Sequence, residues 1–295
     1  MSEQRLTGIA WAVGSALGSA AFLIPWKLAA SVGTARVNLL LLLVAAAVLN
    51  SVALPFLPRA RSAQSGAPAR RRALWLAAQL SVLTLLGNWA SAMAIGELSA
   101  PVLSVLQRTE VLVVALLAWL WLGERIDARF GLGTLIAGAG LLFIQNDALH
   151  GRAGAVGTFY GLLAAASFGT MIVLARRAGQ AIDPVSVNAQ RLWLSVALWF
   201  VINGVPGALW KITAQQLLYA ALAALCGPVL SRVCIMYSVR YVEARVSALT
   251  ILCAPVLTLW LSHLWFGGLP GTQQLLGGLL MLTGIALPIS GWKRA

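Results

Sequence analysis

Residues 246–271 read VSALTILCAPVLTLWLSHLWFGGLPG, and no Asp, Glu, Lys or Arg occurs between Val246 and Trp292. The hydrocarbon core of a bilayer is crossed by about 20 apolar residues in a helix, so this run is too long for one span. Gly267-Gly268-Leu269-Pro270-Gly271 is the turn that divides it. The same criterion applied outward finds ten apolar windows of spanning length: 7–29, 36–57, 73–95, 99–122, 129–146, 154–175, 185–205, 213–237, 243–265 and 271–290. The first window is too long for a signal-peptide core and lacks a small-x-small cleavage region, so it counts as a span. Arg59 to Arg72 is the only long polar connection and reads as a flexible loop.

Composition agrees. Of 295 residues, 60% are hydrophobic and 10% charged, with mean hydropathy +0.87. A soluble domain carries about 25% charged residues, so lipid must solvate much of this exterior. The expected fold class is an all-α membrane protein of ten transmembrane helices. The net charge of +13 would suggest nucleic acid in a soluble chain. Here the basic residues sit at the ends of apolar runs and report topology instead. With the N-terminus inside, about 14 Lys and Arg fall on inner ends and loops, against Arg36, Arg152 and Lys211 outside. Both termini are expected on the cytoplasmic side. Cys226, Cys234 and Cys253 lie inside apolar runs without metal-ligand spacing and read as packing residues.

Trp121-Leu122-Gly123-Glu124 with Gly133 and Gly140 reappears as Trp265-Phe266-Gly267-Gly268 with Gly277 and Gly284, at a constant offset of 144 residues. This divides the chain into a first repeat over 1–147 and a second over 153–295. Five spans per repeat is an odd number, so the second copy enters the membrane inverted. In inverted-repeat transporters the substrate site lies between the halves near the midplane.

Charged and amide side chains at that depth are the candidates for function, because each costs free energy in lipid unless paired or hydrated. Arg108 and Glu110 lie roughly 13–17 Å into the fourth span. The i, i+2 spacing on a continuous helix places them about 200° apart, each needing its own partner. Gln107, Asn88, Asn188 and Arg191 extend the polar set. Trp89 and Tyr237, with Trp193 and Tyr160, are candidates for an aromatic wall. Lys27 and Arg232 lie near helix ends and are expected to snorkel. Gly14-Ser15-Ala16-Leu17-Gly18 is a small-xxx-small face that permits close helix approach. There is no His-Glu-x-x-His, nucleophile elbow or catalytic carboxylate pair, so an enzyme is not expected. No phosphate loop is present and no cofactor or metal is implied.

The Leu122-Gly123-Glu124 turn followed by the glycine-rich Arg129–Ile144 segment, with Ala254-Pro255 in the penultimate span, resembles the EamA-type carriers of the drug/metabolite transporter superfamily. Two positions depart from that pattern: Gly268 stands at the second turn glutamate, and Glu110-Val111 stands where an Ala-Pro-like pair would fall. The layout looks most like a bacterial exporter of aromatic amino acids. The resemblance implies ATP-independent export from the cytoplasm across the inner membrane. The partners implied are a small-molecule substrate and the lipid bilayer, with a monomer as the working unit. Amino acids, aromatic or large apolar, are the expected substrates, since Arg108, Glu110 and Arg191 could pair a carboxylate and an ammonium separately. Phosphorylated metabolites or drugs are the alternative cargo, and a channel the alternative mechanism.

Overall fold

The computed structural model describes residues 3–53, 67–98, 100–123, 128–144, 152–179, 183–204 and 212–266, together with 272, 276–277, 279–280, 283–284 and 287. The turn at Gly267–Gly271, Glu124 and the chain's C-terminal residues lie outside this set. Nearly every described residue is helical. The elements are α1 (Glu3–Val32), α2 (Ala35–Ala53), α3 (Ala67–Glu97), α4 (Ala100–Gln107), α5 (Glu110–Leu122), α6 (Ala128–Ile144), α7 (Arg152–Ala178), α8 (Pro184–Asn203), α9 (Ala214–Ala224), a π-helical turn (Leu225–Ser231), α10 (Arg232–Tyr241), α11 (Ala244–Ile251) and α12 (Ala254–Phe266). Among the described residues, six stretches are long and apolar enough to cross a bilayer: Gln4–Val32, Ala35–Ala53, Arg70–Glu97, Gly154–Ala178, Pro184–Asn203 and Ala214–Tyr241.

Two windows expected as continuous helices are each broken in the middle. α4 and α5 meet at Arg108-Thr109, and α11 and α12 meet at Leu252-Cys253. One boundary also moves. Part of the expected Arg59–Arg72 loop is helical, because α3 starts at Ala67. Pro68 suits a first helical turn, Ala and Arg are good helix formers, and arginines can stand clear of the apolar layer at a helix end.

The breaks fall at the repeat offset: 252 − 108 and 253 − 109 are both 144. The equivalence extends to hydrogen bonds. Thr109 turns its N–H (3.1 Å) and its hydroxyl (2.8 Å) back onto the Leu106 carbonyl. Cys253 turns its N–H (3.3 Å) and its thiol (2.8 Å) onto the Thr250 carbonyl. A side chain that bonds the carbonyl three residues back competes with the α-helical ladder and tightens the turn.

Packing repeats as well. α1 packs on α9, α10 and the π turn between them, and on α11 and α12. Its counterpart α7 packs on α3, α4 and α5. Each half therefore lays its first helix against the third and fourth helical segments of the other half. The broken helices run antiparallel: α4 lies against α12 and α5 against α11.

Between helices in lipid there is little hydrophobic drive, so close packing and polar contacts must hold the bundle. The glycine face of α1 serves this purpose. A Cβ on Gly18 would sit 2.7 Å from the Cys226 carbonyl oxygen, and one on Gly14 would sit 3.3 Å from Cys234 Sγ. The repeat glycines do the same elsewhere: a Cβ on Gly284 would stand 2.6 Å from the Gly133 carbonyl oxygen of α6. Amides tie helices across the halves. Gln216 Nε2 donates to Asn38 Oδ1 (2.7 Å), and Asn188 Nδ2 donates to Asn50 Oδ1 (2.6 Å). Such bonds stabilise membrane bundles by about 0.6 kcal/mol each.

Candidate functional site

The two breaks meet a third irregularity. Pro228 has no N–H, and the helix around it widens into a π turn. At its end the Arg232 N–H bonds the carbonyls of Gly227 and Val229 and passes over that of Pro228. The freed carbonyl accepts from Arg191 Nη2 (3.0 Å) and Asn188 Nδ2 (3.2 Å). Pro255 works in the same way. It lacks the N–H that would bond the Ile251 carbonyl in a continuous helix, and that carbonyl accepts from Arg108 Nη1 (3.3 Å). Local chain chemistry thus exposes backbone acceptors at the places where buried guanidinium groups need them.

These groups surround a small polar cavity. Its lining comes from α1 (Ser15, Ser19, Phe22), α3 (Asn88), the first break (Gln107, Arg108, Glu110), α7 (Phe168), α8 (Arg191), the π turn and α10 (Gly227, Pro228, Ser231, Arg232) and Ile251 at the second break. The cavity leaves about 30 Å³ for water, room for one or two molecules but not for an organic solute. Two larger grooves, about 740 and 470 Å³, are lined mainly by apolar side chains such as Leu85, Leu86, Leu135 and Leu142, and the second of them also touches Arg108 and Thr109 at the first break. Apolar grooves on a membrane-spanning exterior are suited to acyl chains, so the smaller polar cavity is the candidate for chemistry.

Arg108 and Glu110 do not take separate partners. Arg108 Nη1 stands 2.9 Å from Glu110 Oε1, and both side chains are almost fully buried. The expectation of opposite faces assumed a continuous helix. The turn at 108–109 removes that geometry and folds the i+2 carboxylate back onto the guanidinium. Two further Arg108 donors are engaged, Nε with the Ser104 carbonyl (3.3 Å) and Nη2 with Ser19 Oγ (3.2 Å).

Arg191 is 1% exposed and bonds only neutral acceptors: Asn188 Oδ1 (2.7 Å), Thr84 Oγ1 and the Pro228 carbonyl. Arg232 is not a snorkelling helix end. It lines the cavity with its guanidinium carbon 4.2 Å from the Phe168 ring centroid. Among the described residues its side chain makes no hydrogen bond or ion pair. Lys27 is likewise committed within the bundle, its Nζ capping the end of α3 through the carbonyls of Ile95 (2.6 Å) and Leu98 (3.0 Å).

Of the residues singled out from sequence, Arg108, Glu110, Gln107, Asn88 and Arg191 converge on the cavity. Asn188 stands behind it, holding Arg191. Trp89 and Tyr237 do not line it. Trp89 follows Asn88 by one residue, about 100° around the helix, and faces an apolar groove with its ring edge-on to Tyr160. Tyr237 stacks on Trp11 at 4.9 Å. The aromatic wall of the cavity is instead Phe22 and Phe168.

Sequence reasoning missed Ser15, Ser19, Arg232 and the two phenylalanines as cavity residues. The available signal was Gly227-Pro228 inside an apolar run with an arginine one turn later. Among the described residues, no group of three His, Cys, Asp or Glu could hold a metal ion.

A comparison with curated protein sequences finds no match. A solved structure described as "Crystal structure of protein" superposes with a TM-score of 0.71 at 16% identity, over 98% of this chain and 96% of that one, a likeness that shows the fold alone. The EamA-like transporter family matches twice, over residues 6–145 and 155–289, and the chain belongs to that family of membrane transporters.

Proposed function

We propose that this transporter exports small carboxylate-bearing metabolites from the cytoplasm by alternating access, with the substrate seated in the cavity where the broken helices cross. The observation that carries this reading is the pairing of two antiparallel helix breaks around one small polar cavity. Discontinuous helices offer unpaired backbone groups at mid-membrane depth, and an inverted repeat lets one half rock against the other around a fixed site. A cavity with space for one or two waters cannot conduct an organic solute, so transport requires the halves to separate on one side at a time. That requirement favours a carrier over a channel.

Amino acids, aromatic or large apolar, are the substrate class expected from sequence, and Phe22 and Phe168 provide an apolar wall for them. The test is counter-flow in ATP-free liposomes with tryptophan, phenylalanine, threonine and a triose phosphate. Saturable exchange is expected. Movement that strictly needs ATP, or flux that rises linearly with concentration, overturns the carrier. The orientation is tested separately: reporter fusions at Gly66 and at the C-terminus should both report the cytoplasm, and an external signal at either sinks the topology.

A further inference from the structure

We infer that Arg191 and Arg232 form an anion subsite, and that the preferred substrate carries net negative charge rather than being a zwitterion. The inference rests on the carrier reading above and deepens it. Formal charge is the first argument. Arg108 and Glu110 neutralise one another at 2.9 Å, so the cavity's other two guanidinium groups stand as an excess of two positive charges. They also repel each other. No carboxylate offsets Arg191, whose partners are an amide oxygen, a hydroxyl and a carbonyl.

Geometry is the second argument. Arg108 gives four of its five N–H donors to protein groups, whereas Arg232, with its guanidinium carbon 4.2 Å from the Phe168 ring centroid, keeps its N–H donors uncommitted among the described residues. A planar guanidinium with uncommitted donors can meet a carboxylate or another flat oxyanion bidentately. Burial is the third. Arg191 is fully buried and Arg232 partly so, and uncompensated cations inside a membrane-spanning bundle are costly unless a counter-charge arrives. A bound anion supplies it, whereas a zwitterion contributes no net charge. Glu110 lines the same cavity and attracts Arg232 as well as Arg108, but one carboxylate against three guanidinium groups still leaves the positive excess that an anion would meet.

Three probes of one shape separate the possibilities: 3-phenylpropionate with a carboxylate alone, phenylalanine with both groups, and phenylethylamine with an ammonium alone. Binding to the purified, detergent-solubilised transporter is read by calorimetry, with succinate as a small dianion. We expect 3-phenylpropionate or succinate to bind at least about tenfold more tightly than phenylalanine, and phenylethylamine not to bind. Arg232→Gln should weaken anion binding by about 10- to 100-fold, the loss of one charge-assisted hydrogen bond. Arg232→Lys should recover part of it. If Arg232→Gln does not fold, the order of the three probes and succinate on the parent protein still decides. Phenylalanine binding as tightly as the better of the two anions overturns the subsite, as does failure of both anions to bind or an Arg232→Gln variant with unchanged anion affinity. Anions that bind but are never moved across ATP-free liposomes leave the subsite standing and remove the carrier. Movement of a zwitterion with no anion binding does the reverse.

Discussion

The two helix breaks share a backbone and differ in chemistry. At Arg108-Thr109-Glu110 and at Leu252-Cys253-Ala254 the chain turns in the same way, with a hydroxyl or a thiol bonded to the carbonyl three residues back. The first break carries a buried ion pair; the second carries none and has Pro255 just beyond it. A repeat can therefore keep the mechanical element, a helix interrupted at mid-depth, while placing charge on only one copy. The link between the copies is asymmetric too. Arg108 of the first half reaches across to the Ile251 carbonyl, which the proline of the second half leaves free. The third helices show the same division: Thr84 and Asn88 in the first half stand at the repeat positions of Pro228 and Arg232 in the second.

Removing the charge breaks the comparison most severely. Arg108→Ala leaves Glu110 buried and unpaired and is expected to lower stability by about 3–5 kcal/mol. Denaturant titration in mixed micelles measures this. The double variant Arg108→Met with Glu110→Met should regain most of that stability, since buried pairs replaced by apolar groups are often neutral, yet should not transport. Recovery of transport by the double variant would show that the first break works as the apolar second one does.

A smaller effect is expected from exchanging the proline. Pro255→Ala supplies an N–H for the Ile251 carbonyl and competes with Arg108, at a stability change within about 1 kcal/mol. Transport should fall several-fold, because the healed helix resists the bend. Val111→Pro, its counterpart, loses the bond from the Val111 N–H to the Arg108 carbonyl (3.1 Å) and should cost about 1 kcal/mol. Pro255→Ala with full transport would argue that the second break is mechanically passive.

The least effect is expected at the turn side chains. Thr109→Val and Cys253→Ala each remove one neutral hydrogen bond, about 0.5–1.5 kcal/mol for the hydroxyl and less for the weaker thiol donor. Thermal unfolding of the two variants should rank threonine above cysteine. The opposite order would mean that the two turns are held by different forces.

Much of the site is legible in the sequence, for reasons that belong to single residues. Arg108, Glu110 and Arg191 stand out because a charge in an apolar window has no benign explanation. Asn88 and Gln107 follow by the same argument applied to amides. Arg232 is hidden because its distance from a helix end suggests an escape to the interface, and distance along a helix says nothing about which neighbours block that escape. Trp89 misleads in the other direction. Aromatic type and proximity to Asn88 suggest a shared face, but one residue turns the side chain away from the cavity.

Membrane class, the repeat and its offset of 144 follow from the amino-acid chain alone, because apolar length and spaced turn motifs are properties of the chain. Tertiary packing settles that two windows are broken, that Arg108 meets Glu110, and that Arg191 and Arg232 line one cavity with them. These outcomes depend on which carbonyls a proline or a turn leaves open and which guanidinium from a distant helix arrives to take them. Contacts between helices make those choices, and they are not written in the period of any one helix.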